Sequence, residues 1–207
     1  MIYFLDQSIR DGNFGLTQEE LEDEDLDPSL ISLCKDLVSF EDLLSTTLQS
    51  TEYRFILCQI GADVSFVLSG LAILIDQTML SLAATITLLT PPGLQKLHRL
   101  ILTLSQNLKQ LTPSPKDALL TRSLDYFNLF NLGPNEFVKW AKETGGNGYD
   151  YDEMKTMLGL LYSEQMGKAR VSGGGIVGGQ SGRERSLGVR RAYNECLIEL
   201  NEALWSH

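Results

Sequence analysis

Residues 66–89 read FVLSGLAILIDQTMLSLAATITLL, twenty-four residues whose single charge is Asp76. They close a longer, mostly apolar run that begins at Tyr53. A stretch of this length can cross about 30 Å of hydrocarbon, and it can equally form the middle of a helical bundle, where a helix that is apolar all round is expected. Asp76 decides between the two. An aspartate near the centre of a membrane span costs about 2.5–3.5 kcal/mol, and Gln77 beside it adds to that. Juxtamembrane basic residues are few, being Arg54 before the run and Lys96, His98 and Arg99 after it. The flanking segments each carry an apolar stripe that needs a partner, and this run supplies one. The expectation is a buried core segment with Asp76 at a loop or cap; insertion of residues 66–89 in lipid is the alternative.

Working outward, turn signals cut the chain into helical pieces. Asp27-Pro28 has the form of an N-cap followed by proline at the first helical position. Behind it Leu30, Leu33, Leu37, Phe40, Leu44 and Leu48 recur at three- and four-residue steps, one face of a helix. A second helical segment is predicted from about Thr51 to Leu89, stopped at Thr90-Pro91-Pro92-Gly93. A third runs from Leu94 to about Leu111, a fourth from Lys116 to Phe130, a short fifth from Asn135 to Glu143 and a sixth from about Asp150 to Lys168. A Gly-rich stretch from Ser172 to Gly182 holds six glycines, and Ser186 to Trp205 forms an amphipathic helix. Alternating runs of the strand type are absent, and the short Pro- and Gly-rich connections suit antiparallel neighbours. The prediction is an all-α, irregular bundle of about six to seven helices. Its organisation is an acidic N-terminal arm (1–27), a helical bundle (28–170), a Gly-rich linker (171–185) and a C-terminal amphipathic helix (186–207).

With 207 residues the chain can bury a core without disulfides or metals. Its net charge of −10 argues against binding nucleic acid through the whole surface. The charge is uneven. Residues 1–27 carry nine acidic side chains against Arg10 alone, whereas residues 168–191 carry six basic ones (Lys168, Arg170, Arg183, Arg185, Arg190, Arg191) against Glu184. Cys34, Cys58 and Cys196 are odd in number and far apart, as free cysteines in a reducing compartment are. Met1-Ile2-Tyr3-Phe4-Leu5 is too short for the apolar core of a secretory signal. These features point to an intracellular, cytoplasmic location, with membrane association as the alternative.

Motifs for catalysis or cofactors are not found. Two histidines, His98 and His207, are too few for triad chemistry, and no cluster has metal-ligand spacing. The glycines of 173–182 lack the Lys-Ser or Lys-Thr that a phosphate loop requires. Residues 147–153 resemble a calcium loop only loosely, missing glycine at its sixth place and glutamate at its twelfth; Asp150 and Glu153 suit the first turn of a helix instead. No cofactor or metal is expected. The expected function is that of a non-enzymatic structural or adaptor subunit acting through protein–protein contacts, with a protein partner or a homo-oligomer. The partner-binding candidates are Tyr193, Leu197, Leu200, Leu204 and Trp205 on the C-terminal helix. A weaker alternative is a nucleic-acid or phosphate contact through Arg183, Arg185, Arg190 and Arg191 in segment 168–191.

Overall fold

The computed structural model describes residues 2–23, 27–52, 66–110, 120–171 and 181–205. The fold is all-α. The described residues form nine α-helices and one 3-10 turn, with no strand among them. They are α1 (Ile2–Arg10), α2 (Gln18–Asp23), α3 (Pro28–Thr47), α4 (Phe66–Ala83), α5 (Pro91–Gln110), α6 (Thr121–Asn128), the 3-10 turn Leu129–Leu132, α7 (Pro134–Thr144), α8 (Tyr151–Val171) and α9 (Ser181–Trp205).

Local chemistry fixes several ends. Asp27 caps α3 by accepting a hydrogen bond from the Ser29 amide at 2.7 Å, with Pro28 at the first position. The other oxygen of Asp27 accepts from the Ser8 hydroxyl, which ties α1 to the start of α3. At the head of α8, the Glu153 amide donates to Asp150 at 2.7 Å and the Asp150 amide donates back to Glu153 at 2.9 Å. This is the reciprocal capping arrangement expected from an acceptor followed three residues later by glutamate.

Packing joins two groups of helices through α4 and α6. On one side α1 lies against α3 and α4, and α5 lies against α2 and α3. On the other, α9 lies along α8 and α7. α4 touches α1, α6 and α8, and α6 also touches α5. Ile75, Met79, Leu80, Leu82 and Ala83 of α4 are buried in the common core with Leu97, Ile101 and Leu104 of α5 and Met154, Met157 and Leu158 of α8. No helix among the described residues is long and apolar enough to cross a membrane.

Several boundaries differ from the sequence expectations. The apolar run does not stay helical to Leu89: α4 ends at Ala83, and residues 86–90 are non-helical. Tertiary partners replace the missing helical bonds there. The Leu89 amide donates to the Ser163 hydroxyl at 3.1 Å, and the Thr90 amide donates to the Phe14 carbonyl at 3.0 Å. Residues 53–65, expected as the start of this helix, lie outside the described residues, as do Cys58 and residues 111–119. The prolines do not precede α5 but open it, since the first turn has no use for their missing N–H. On α3 the apolar stripe is buried at Leu30, Leu33 and Leu37, but Phe40 is exposed.

Residues 1–27 are not a free arm along their described length. Leu5, Ile9, Phe14, Leu16 and Leu21 are buried, while Asp11, Glu19, Glu20 and Glu22 face outward together with Tyr3, Arg10, Asn13, Thr17 and Gln18. The clasp is tight at Gly93, where an added Cβ would lie 1.8 Å from the Phe14 carbonyl oxygen. The Gly-rich region is shorter than the expected 171–185. α8 extends to Val171 and α9 begins at Ser181, while residues 172–180 lie outside the described residues. Good helix formers at Arg183, Glu184 and Arg185 are consistent with the earlier start.

Candidate interaction surface

Asp76 holds the most consequential polar contact in the core. It sits in mid-helix on α4, neither in a loop nor at the end of its own helix. Its carboxylate accepts from the Ser123 amide at 3.0 Å and from the Ser123 hydroxyl. Ser123 stands at the third position of α6, whose own N-cap, Leu120, is left-handed (φ 61°) and supplies no side-chain bond. Asp76 therefore caps a neighbouring helix across 47 residues of sequence, placing a carboxylate at the positive end of the α6 dipole.

A second polar group continues from it. Arg122 donates to both carboxylate oxygens of Glu153, at 2.9 and 3.0 Å, and to the Gly148 carbonyl at 3.3 Å. The Tyr149 hydroxyl donates to the Arg122 carbonyl at 3.0 Å, and the Tyr126 hydroxyl donates to the Glu153 carbonyl at 2.7 Å. Burial, reinforced by the Glu153 and Asp150 carboxylates, holds the Tyr126 phenol far up. Burial chiefly, then Asp125, pushes that of Tyr149 up to about 12. Both therefore remain neutral donors at physiological pH. These residues lock α4, α6, α8 and the glycine turn together, and every one is occupied by a structural bond. Sequence reading found the Asp150–Glu153 pair, because its spacing is local. It missed Ser123, Arg122, Tyr126 and Tyr149, whose partners are remote.

Groups with reactive potential are similarly quiet. Burial raises the Cys34 thiol above its ordinary value, away from the nucleophilic thiolate. Cys196 is buried with its sulfur 3.4 Å from the Tyr162 hydroxyl. Burial lowers the His98 imidazole, and its Nε2 has no hydrogen-bond partner. No group of three or more His, Cys, Asp or Glu among the described residues could hold a metal ion. An open cleft of about 490 Å³ runs between α3 and α5, lined by Leu30, Ile31, Cys34, Val38, Thr103 and Asn107.

On α9 the predicted partner residues divide. Leu200 is fully buried, and Tyr193, Leu197 and Leu204 are half-buried against the core, so this face is spent on α7 and α8 of the same chain. Tyr193 meets the Tyr162 ring edge-on at 5.6 Å. The end of α9 sits on the glycine turn, where a Cβ on Gly146 would lie 3.0 Å from Leu204. Lys142 and Glu199 bridge α7 to α9 at 2.7 Å. Trp205, the remaining member, is 78% exposed. Arg190 and Arg191 face solvent on the same helix, with Arg191 beside Glu195 at 3.4 Å. The side chains of Arg183 and Arg185 lie outside the described residues.

Comparison with known proteins adds a direction. No known family model matches the chain. The chain is similar to exocyst complex component 4. It is 25% identical to the human protein over 172 residues, which covers 82% of this chain and 16% of that protein. The mouse protein of the same name is 25% identical over 167 residues, covering 80% and 16%. A protein of Neurospora crassa named probable exocyst complex component sec8 is 23% identical over 217 residues, covering 86% and 17%. The chain thus spans about a sixth of the length of the curated relatives it matches.

Proposed function

We propose that this chain is a non-enzymatic, all-α subunit of a multiprotein assembly of the exocyst kind, working by protein–protein contact inside the cell. The observation that carries this reading is the similarity, across about four-fifths of the chain, to components of one named complex. The chemistry of the bundle supports it. Asp76, Asp150 and Glu153 are committed to helix starts, Arg122 to Glu153, and the Cys34 thiol and His98 ring are held in their neutral forms by burial. What remains for function is the surface, and its partners are other protein chains.

The test is purification of the tagged protein at native expression level, followed by nuclease treatment and mass spectrometry. Other exocyst components should be recovered in amounts comparable to the bait. Recovery no better than from an untagged strain refutes the reading. Recovery that disappears with nuclease would instead favour a nucleic-acid contact through the basic segment 168–191.

A further inference from the structure

The outer face of α9 carries large apolar side chains that the bundle does not bury. Leu187, Ile198 and Trp205 are 65%, 59% and 78% exposed. Ile198 and Trp205 lie eleven and eighteen residues beyond Leu187, which is close to three and five full turns. At about 100° per residue the three side chains fall within about 20° of one another. The buried positions Cys196, Leu200 and Ala203 lie on the opposite side of the helix. α9 therefore has an inner apolar face that the chain covers itself and an outer ridge, about 27 Å long, that faces solvent.

Charge along the ridge is polarised. Arg190 and Arg191 belong to its first half and Glu202 to its second, while Glu195, one residue before the middle, lies beside Arg191 and Glu199 bridges to Lys142. Such a helix matches a reversed copy of itself. If two copies of α9 lie antiparallel with the two-fold axis near residue 196, position i of one stands level with position 392 − i of the other. Leu187 then stands opposite Trp205 of the second copy, and Trp205 opposite its Leu187. The two Ile198 side chains lie about one turn apart at the centre. Arg191 and Glu202 project on the same flank of the ridge and are within about 1.5 Å of level across the pair. In an antiparallel two-fold arrangement like flanks meet, so the Arg191–Glu202 contact forms twice. Parallel copies would instead set basic against basic and acidic against acidic.

From the phase of the exposed residues and this charge complementarity, we infer that α9 is a self-association surface, and that its occupant is a second copy of this chain docked antiparallel along Leu187, Ile198 and Trp205. The inference goes beyond the assembly reading above and does not depend on it. A single helix pair is a small interface by the standards of stable dimers, which bury more than about 1,200 Å². The association is accordingly weak and reversible. Apolar contact supplies the attraction, and the charged pairs set direction and register.

Sedimentation equilibrium of the intact chain, from about 5 to 200 µM, tests it. The expected result is a monomer–dimer equilibrium that weakens at least tenfold in Ile198→Asp. Arg191→Glu and Glu202→Arg should each weaken it severalfold, and the double reversal R191E/E202R should restore it. These substitutions lie at exposed positions, so unchanged far-UV circular dichroism and melting temperature are expected in each. A chain that stays monomeric throughout this range overturns the proposal. A dimer indifferent to Ile198→Asp, or one that the double reversal fails to restore, overturns it too, because the interface would then lie on another face or in another register.

Discussion

Replacing Asp76 by Leu is the perturbation whose sign separates a packed α4 from one that faces lipid. In the structure the Asp76 carboxylate accepts two hydrogen bonds from Ser123, a residue with no exposed surface. Leucine removes the ionised acceptor and leaves the Ser123 amide unpaired in the first turn of α6. A hydrogen bond to a charged group contributes about 1.5–3 kcal/mol, and stranding a buried donor costs about 1–3 kcal/mol. These describe overlapping parts of one loss and do not add. The leucine side chain recovers about half of a buried aliphatic group's value, roughly 1 kcal/mol. The net expectation is a destabilisation of about 2 kcal/mol. With a urea slope of about 2–3 kcal/mol per molar, the unfolding midpoint followed by far-UV circular dichroism should fall by about 1 M. In hydrocarbon the same substitution would be favourable by about 3–4 kcal/mol, since leucine replaces a central aspartate. Asp76→Asn, which keeps an acceptor oxygen, should lose less than the leucine variant. Ser123→Ala should lose only the hydroxyl's share, about 1 kcal/mol. An unchanged or higher midpoint for Asp76→Leu would refute the capping role and the core placement together.

Three further outcomes test other parts of the fold. Gly93→Ala should lower the melting temperature by about 5 °C or more, because the new methyl would meet the Phe14 backbone oxygen, which no side-chain rotation can relieve; calorimetry of the variant checks this. Leu200→Ala should cost about 2–5 kcal/mol in urea denaturation while Trp205→Ala stays within about 0.5 kcal/mol of the parent, since one side chain is fully buried and the other largely exposed. His98 makes stability depend on pH. Burial lowers its folded-state pKa below the ordinary 6.5, so below pH 6.5 the unfolded chain takes up a proton that the folded chain refuses. Its contribution is present above 6.5 and is lost as the pH falls toward the folded value. Urea titrations between pH 7.5 and 5 should show this slope in the parent and a flatter one in His98→Leu; equal slopes would rule out the buried imidazole as its source.

The features legible in the sequence are those whose cause lies within a few residues. Asp27-Pro28 announced the start of α3, and Asp150 with Glu153 announced that of α8, because an N-cap and its partner amide are neighbours in the chain. Helical spacing of apolar residues identified the class of fold for the same reason. Sequence spacing misplaced the ends that distant groups decide. Leu89 leaves helical geometry to meet Ser163, and Thr90 to meet Phe14, which are 74 and 76 residues away. The acidic segment 1–27 looked like a solvated arm because nine acidic side chains stand there against Arg10 alone. Yet Leu5, Ile9, Phe14, Leu16 and Leu21 are spaced to bury, and the charges occupy the positions between them. The amphipathic stripe of α9 was visible in sequence, but periodicity carries no information about whether its own bundle or another chain covers it.

Asp76 links these observations to the functional reading. A charge in the middle of an apolar run is a sign of function only when nothing nearby needs it, and here α6 begins without a side-chain cap of its own. Removing α6 from beside α4 would leave the carboxylate without its Ser123 donors and the helix start without its anion. The pair therefore specifies which face of α4 meets which end of α6, a constraint that apolar packing alone would leave loose. Arg122 and Glu153 do the same for α6 and α8. A chain that commits its carboxylates and guanidinium to fixing helix orientation holds its exterior in a defined shape. Defined exterior shape is what a subunit acting by contact requires, and the outer ridge of α9, held from behind by Leu200 and the glycine turn, is the surface on which that requirement can be measured.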